Sequence, residues 1–530
     1  MKIKFLGAAK TVTGSFYLLD NNRVRFAVDC GLFQGNKDLR EKNYADFPVD
    51  PHSIAFLILT HAHIDHSGLI PKLCKAGFSG PIYCSHATYE LCQVLLPDAG
   101  HIQEFEVERK NRKLSREGKI LLEPIYTAED GSECLSQFRP VNYDEVVGLS
   151  SGVEMRLRDA GHILGSSIVE LWIEENGKKV KIAFSGDLGQ GNQPIIKDPT
   201  VIENADYVVM ESTYGDRYHK GVGNRAEQLY KIIEDTMRRG GNLVIPSFAV
   251  ERTQDLLYDL SKLQAQGLLK PNIDVYIDSP LAIAATEIFL HNTSYYDQET
   301  MEMVNSGHHP LKLPNLKYSR TQQESMEINK IQKNAIIISA SGMCDAGRIK
   351  YHLKYNLWRP ECTVLFVGYQ ANGTLGRRIM DGEKLVCIHG EQVVVKADIQ
   401  NIEAYSAHAD QIGLMSWLNN IKNIKTVFMV HGEEKSQRVL ADLIQKDLHL
   451  PVIIPNWLEE IELRPMEELQ PISIVQPVPE VRTQTFSKAL AAEEKYLRLR
   501  SKLNSFFEER YNNAQYDELI EKLDKLETDL

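Results

Sequence analysis

Ile54-Ala55-Phe56-Leu57-Ile58-Leu59-Thr60, followed at once by His61-Ala62-His63-Ile64-Asp65-His66, is the stretch on which the fold reading turns. The apolar run has strand length and reads as a strand buried on both faces. The six residues behind it hold three imidazoles and a carboxylate. A strand end projects His61 and His63 to one side, while the turn that follows brings Asp65 and His66 to a second position. One short loop then serves two adjacent metals. Imidazole and carboxylate together suit zinc, with each site left open for water.

Two metals need more donors than this loop supplies. His162, in Asp159-Ala160-Gly161-His162-Ile163-Leu164-Gly165-Ser166, and Asp187, in Phe184-Ser185-Gly186-Asp187, lie where an apolar strand gives way to a Gly-rich turn. Alone, one reads as readily as a satisfied turn histidine and the other as an ordinary turn aspartate. Beside the 61–66 loop they read as further ligands.

Working outward, KIKFLGA, SFYLLD and RVRFAVDCG alternate between Gly14, Asn21-Asn22 and Gly31 as an antiparallel sheet edge does. Residues 87–119 read as a charged helix, and strand alternation returns at 153–157, 167–173 and 180–184. Strand and helix then take turns: helices at 224–239, 251–263, 348–356 and 435–444, strands at 242–245, 274–277, 335–339, 362–367 and 425–430. That alternation predicts a second, mostly parallel sheet. Residues 470–483 hold three prolines, and 487–530 are helical and charged, as expected of a linker and an appendage.

At ~150 residues per domain, 530 residues give roughly three to four structural units. Basic residues number 60 against 72 acidic ones, a net charge of -12 that excludes coating nucleic acid through bulk charge but leaves room for a local basic channel. The eight cysteines form no C-x-x-C pair, which excludes a zinc ribbon and predicts reduced, mostly buried thiols. No run approaches the ~18 apolar residues of a membrane span, and Met1–Leu6 precedes no cleavable apolar segment. A cytoplasmic protein with no membrane partner is expected.

The ordered motifs H-x-H-x-D-H, a distant His and an Asp resemble the metallo-β-lactamase superfamily, and Asp29, ending RVRFAVD, resembles that family's early Asp. Later blocks resemble its β-CASP branch: Met210–Gly215; Ile245–Val250 with Arg252-Thr253-Gln254; Ile277–Pro280; Ser341–Cys344 with Gly347-Arg348; Gly368–Gln370 with Gly373–Arg377; Tyr405–Asp410; and Val430–Glu433. Glu251 departs from the pattern, since related sequences often carry Gly there. The Ser406-Ala407-His408-Ala409-Asp410 block looks more like the RNA-cleaving branch that includes the mRNA 3′-end-processing endonuclease than the 5′-exonuclease branch.

The resemblance implies an α/β fold: an αββα metallo-β-lactamase sandwich with an inserted α/β β-CASP domain and a C-terminal helical appendage. The expected bounds are 1–212 for the first part of the sandwich, 213–398 for the β-CASP domain, 399–465 for the return to the sandwich and 466–530 for linker and tail. Two zinc ions per chain are implied, one on His61, His63 and His162, the other on Asp65, His66 and His431, with Asp187 bridging and Asp29 supporting the loop. The implied activity is a zinc-dependent ribonuclease, expected as an endonuclease, that cuts single-stranded RNA through a metal-bridging hydroxide and leaves 5′-phosphate and 3′-hydroxyl ends. In that scheme Asp65 and Asp187 serve catalysis as ligands, His408 meets the scissile phosphate and protonates the leaving oxygen, and Glu211 orients His408. A DNA-directed nuclease of the same fold and a non-catalytic RNA-binding scaffold remain as alternatives.

Away from the metals, Ser341, Gly342 and Arg348 at a helix start, and Arg377 and Arg378 beside Gly376, are candidate phosphate cradles, because an anion favours exposed N–H groups and guanidinium forks. In the tail, Leu490, Leu497, Leu503 and Phe507, then Leu519, Ile520, Leu523, Leu526 and Leu530, form helical apolar stripes. They serve either to pack on their own domain or as a surface for a homodimer or protein partner.

Overall fold

Two seven-stranded sheets face each other in the computed structural model, which describes residues 1–175, 177–219, 225–371 and 373–464. The expected tail helices lie outside the described residues. The first sheet runs, edge to edge, Glu460–Glu462, Lys2–Phe5, Tyr17–Asp20, Arg25–Val28, Leu57–Ile58, Ile82–Ser85 and Phe138–Val141. The second runs Val452–Ile453, Thr426–Met429, Tyr207–Met210, Lys178–Phe184, Ser167–Glu175, Val153–Asp159 and Val146–Ser150. Strict alternation builds the interface between them. Val153, Met155 and Leu157 are buried while Glu154, Arg156 and Arg158 are half-buried, so every second residue of that strand enters the sandwich. Ile3, Phe5, Phe26 and Ile58 meet Leu157, Val169, Leu171 and Phe428 there, and the Phe26 and Phe56 rings stack 4.6 Å apart. Each such side chain contributes about 1.5–3 kcal/mol by leaving water.

A third sheet of six strands is ordered Leu316–Tyr318, Asp274–Ile277, Ala335–Ser339, Leu243–Pro246, Thr363–Phe366 and Asp398–Asn401, every pair parallel. Its central strands are buried at every position, because helices cover both faces. The parallel sheet expected from the helix–strand alternation is therefore present, together with the sandwich and the insertion. Among the described residues no helix is long and apolar enough to cross a membrane. All eight cysteines are free; six are buried, Cys74 is half-buried and Cys387 is exposed.

The strand expected over 54–60 is shorter than its sequence suggests: only Leu57–Ile58 is regular. The rest of the segment has other hydrogen-bond partners. Ala55 N–H reaches Arg25 O, and Thr60 N–H leaves the ladder to bond the Asp29 carboxylate at 2.8 Å. The chain leaves the sheet early because a side chain of the neighbouring strand receives it.

The inserted sheet is tied to the sandwich near the metal loops. Glu251 Oε2 accepts the Leu164 N–H at 3.0 Å, the Asp297 N–H donates to Ile195 O at 2.8 Å and Asn292 donates to Glu90 at 2.6 Å.

Candidate metal centre

Parallel pairing decides where the functional side chains emerge. The strands Lys178–Phe184, Tyr207–Met210 and Thr426–Met429 are mutually parallel, with Val209 opposite both Phe184 and Phe428. The residues just beyond their ends, Asp187, Glu211 and His431, therefore leave the sheet along one edge. In the facing sheet Arg25–Val28 is parallel to Leu57–Ile58, with Val28 opposite Ile58, so Asp29 and the 61–66 loop also share an edge. Asp29 and His431 hold φ of +58° and +49°, a left-handed backbone that turns each chain sharply out of its strand.

Donor atoms of His61, His63, His162 and Asp187 lie within 4.8 Å of one another, and so do those of Asp65, His66 and His431. Asp187 stands between the two groups: Oδ2 is 3.5 Å from His61 Nε2 and from His162 Nε2, and Oδ1 is 3.2 Å from His66 Nε2 and 3.5 Å from His431 Nδ1. His431 Nε2 lies 3.4 Å from Asp65 Oδ2. The structure thus brings together every residue that the sequence singled out as a ligand.

The electrostatics prepare this set for a cation. Burial, and then the charge of His66, push His61 well below the ordinary imidazole range, while burial followed by His408 does the same to His162. Burial takes His63 down to about 4 against the pull of Asp65 and Asp187. Neutral imidazoles result, and their nitrogens converge: His63 Nδ1 is 3.1 Å from His61 Nε2 and 3.2 Å from His162 Nε2. Burial alone would raise Asp187, but His431, His66, His61 and His408 outweigh it and hold the carboxyl well below its usual value. Asp187 Oδ1 is nonetheless buried without a hydrogen-bond partner. Convergent lone pairs, ionised carboxylates and an orphaned buried oxygen fit divalent metal ions.

Supporting bonds fix the rings. Asp29 Oδ2 lies 2.8 Å from His66 Nδ1, and the same carboxylate accepts Thr60 N–H at 2.8 Å and Thr60 O–H at 2.9 Å. His66 Nε2 is thereby turned toward Asp187. Thr213 Oγ1 sits 3.0 Å from His431 Nδ1. Burial lowers His66, but Asp187 and Asp29 prevail and raise it well above the ordinary value.

Next to this cluster, His408 Nδ1 lies 3.2 Å from both oxygens of Glu211, and the two rings of His408 and His162 are 4.5 Å apart. Glu211 is fully buried and accepts the Leu188 N–H at 2.6 Å, so its carboxylate is fixed before it meets the imidazole. Burial opposes protonation of His408, yet the charges of Glu211 and Asp187 raise it to about 9. The side chain keeps 21% of its surface exposed, so the imidazolium faces the opening of the site. Tyr214 stands 6.0 Å from His408, His219 Nε2 donates to the His408 carbonyl oxygen at 2.9 Å, and Arg217 lies over Tyr214. Exposed Tyr369 shares the electrostatic surroundings of Arg217, Arg377 and Tyr214.

The phosphate candidates are placed differently. Arg348 reaches Asp278 at 2.7 Å and the carbonyls of Ser319 and Arg320, both at 3.0 Å, so its guanidinium is engaged inside the inserted domain. Ser341 bonds Ala346, and Gly342 gives its carbonyl to Gln370 and packs on Phe248, where a Cβ would come within 3.0 Å of the ring. Arg377 pairs with Asp381 and Arg378 with Glu383 at the surface. Sequence reasoning missed Glu251 as the acceptor that holds the His162 loop, and His219 beside His408; neither carries a local pattern. Tyr214 and Tyr369 lay inside quoted motifs without a role.

A mixed-sheet sandwich with a histidine- and aspartate-lined edge defines a metal-dependent hydrolase. A model of the metallo-β-lactamase superfamily matches residues 10–217, one of the β-CASP domain matches 253–379, and one described as a Zn-dependent metallo-hydrolase RNA specificity domain matches 392–455. Ribonuclease TTHA0252 of Thermus thermophilus is 34% identical over 444 residues, covering 84% of this chain and 96% of that protein. Transcription termination factor FttA of Methanocaldococcus jannaschii is 29% identical, covering 88% of this chain and 72% of that protein, and the RNase J-like protein of the same organism is 28% identical, covering 86% and 97%. A crystal structure of a protein of unknown function from Enterococcus faecalis V583 shares the fold, with a TM-score of 0.50 at 12% identity over 87% of this chain and 99% of that one. The chain belongs to the β-CASP family of the metallo-β-lactamase superfamily, metal-dependent hydrolases of the nuclease class.

Proposed function

We propose that this protein is a zinc-dependent ribonuclease that hydrolyses phosphodiester bonds of single-stranded RNA, cuts internally, and leaves 5′-phosphate and 3′-hydroxyl ends. The observation that carries the reading is the pairing of a seven-residue donor cluster centred on Asp187 with the buried Glu211–His408 couple beside it. His61, His63 and His162 would hold one ion, Asp65, His66 and His431 the other, with Asp187 shared. Three neutral imidazoles and interspersed carboxylates are a borderline donor set that suits zinc. Bound there, two divalent ions supply Lewis acidity and a nucleophilic water near neutral pH.

The chain's own residues do the rest. Glu211 holds His408 Nδ1, which leaves Nε2 as the proton donor to the leaving 3′ oxygen. Release of that oxygen as a hydroxyl puts the phosphate on the 5′ side. Asp29 and Thr213 keep the rings of His66 and His431 aimed inward. Arg217, Arg377 and the Tyr214 and Tyr369 rings offer phosphate and base contacts around His408. RNA as substrate is supported by the RNA specificity model over residues 392–455 and by the names of the relatives. The sandwich segments are taken as 1–212 and 399–465 and the insertion as 213–398, although the strand Asp398–Asn401 belongs to the inserted sheet and carries it three residues further.

The test is cleavage of matched single-stranded RNA and DNA, labelled internally and blocked at both ends, by protein of measured zinc content, beside Asp187→Ala. Internal RNA cuts that vanish in the variant are expected. Cleavage only when an end is free would make the enzyme an exonuclease; cleavage of DNA alone, or none with two zincs bound, would overturn the proposal.

A further inference from the structure

The helix Ile349–Asn356 lies between the parallel strands Ala335–Ser339 and Thr363–Phe366, so it runs back from the end of the sheet that carries Ser341 and Gly368. Its inner face is committed to the fold: Ile349, His352, Leu353 and Asn356 are buried, and His352 Nε2 lies 2.6 Å from Asp278. Its outer face carries aromatic rings. Tyr351, Tyr355 and Trp358 follow at i, i+4 and i+7, two on the helix and the third two residues beyond its end, and are 48%, 47% and 53% exposed. Large rings left this open on one face of a folded domain mark a surface that meets something.

Cations are interleaved with the rings. Lys350 and Lys354 stand beside Tyr351 and Tyr355, and Lys354 reaches Glu391 at 2.6 Å. The exposed His389 ring is stacked on Tyr351, with centroids 4.4 Å apart and planes 29° apart. Burial, then Lys350, Lys354 and Arg109 of the helix His86–Arg116, lower the His389 pKa against the pull of Glu391, so three cations lie close enough to act on this ring. Protein interfaces deplete lysine, whereas single-stranded nucleic acid is held by rings for its bases and cations for its phosphates.

The geometry points to the Tyr351, Tyr355, Trp358 and His389 face, with Lys350, Lys354 and Arg109, as a stacking platform for the single-stranded flank of an RNA whose cleavage point lies at His408. The assignment rests on the RNA-cleaving reading above and extends it to substrate outside the cleft. The helix of eight residues rises about 12 Å and leads away from the end of the sheet that carries Ser341 and Gly368, so an RNA has to extend along it to reach Trp358. The platform therefore discriminates by length and not by the bond that is cut.

The experiment uses the full chain and its Tyr351→Ala/Tyr355→Ala/Trp358→Ala variant, with RNAs of about 6 and about 30 nucleotides. Cleavage kinetics, binding by fluorescence anisotropy and sedimentation are measured on each. Cleavage of the short RNA is expected unchanged, while KM and Kd for the long RNA rise at least about tenfold. A Tyr351→Phe/Tyr355→Phe variant, which keeps the rings, should match the wild type. Equal handling of the long RNA by wild type and triple variant overturns the platform, as does a wild-type dimer that the substitutions convert to monomer, which would make the face a protein interface. If the wild type binds the long RNA but cuts neither, the functional proposal fails alone, and loss of binding in the variant still upholds the platform.

Discussion

Asp29→Asn isolates the bond that aims His66. In the native centre Asp29 Oδ2 is 2.8 Å from His66 Nδ1, which keeps the proton on Nδ1 and the lone pair on Nε2, the atom 3.2 Å from Asp187. Asparagine can keep the Thr60 N–H bond, made at 2.8 Å by Oδ1, but presents an amide N–H to the ring in place of Oδ2. Nδ1 must then accept, the proton moves to Nε2, and the imidazole no longer offers a lone pair toward Asp187. Loss of such a supporting carboxylate lowers metal affinity about 10- to 100-fold, which is about 1.4–2.7 kcal/mol. The effect should fall first on the Asp65–His66–His431 group, because Asp29 touches His66 directly and reaches His61 only through Thr60 Oγ1, 3.1 Å from His61 Nδ1. Chelator competition with elemental analysis at each step should show one ion leaving early and the second leaving as in the wild type, with a thermal midpoint lowered only modestly. Two ions lost together, or a competition curve identical to wild type in a folded variant, would refute the reasoning.

His408→Ala should abolish cleavage while bound metal, measured by elemental analysis, stays at the wild-type value; retained activity or lost metal would remove the residue from its assigned role. Gly31→Ala should deplete metal at the same group, because the added Cβ would sit 1.7 Å from the Asp65 carbonyl oxygen and must displace the ligand loop. Glu251→Gly releases a left-handed residue at φ +67°, a relief of about 1 kcal/mol, but strands the buried Leu164 N–H at about 1–3 kcal/mol. Net stability should change by less than about 2 kcal/mol, while hydrogen exchange at Leu164 accelerates and kcat falls more than KM rises. Burial opposes ionisation of Asp278, yet bonds from His352, Ser325 and Arg348 take it from 3.8 down to about 2. A depressed folded pKa gives stability that is present above about 4 and is lost as pH falls through 2. The pH-dependent gain over Asp278→Asn should therefore be about 2 kcal/mol at pH 5 and shrink toward zero at pH 2 in denaturant titrations.

The ligand loop was legible because its chemistry is dense: three imidazoles and a carboxylate in six residues outweigh any turn preference. His162, Asp187 and His431 were legible only through the order of motifs, since each follows its own strand: parallel pairing brings the Asp187 and His431 ends together, and His162 joins them because Val153–Asp159 and Lys178–Phe184 both pair antiparallel with Ser167–Glu175. The interleaved helices and strands of the insertion could be read from period alone. Pro280–His291 could not: it is apolar around its circumference, and a stripe is what periodicity detects. Arg348 shows a different limit. A guanidinium beside a glycine-rich turn reads as an anion site, but its partner Asp278 lies 70 residues away and nothing local announces it. Glu251 likewise has a meaning that exists only across the domain boundary, at the Leu164 amide.

Chain order gives the centre a schedule. The His61, His63, His162 and Asp187 group is encoded before residue 188, but His431 follows Asp65 by 366 positions and the Glu460–Glu462 strand closes on Lys2–Phe5 across 458. At synthesis rates of about 5–20 residues per second, the second group waits about 20–70 s for its last donor. Through that interval the opening strand has an unpaired edge and the donor set is half complete. Until His408 and His431 have been made, the nascent chain holds the first donor group alone, so the Glu211–His408 couple and the second donor group are completed within 24 residues of each other.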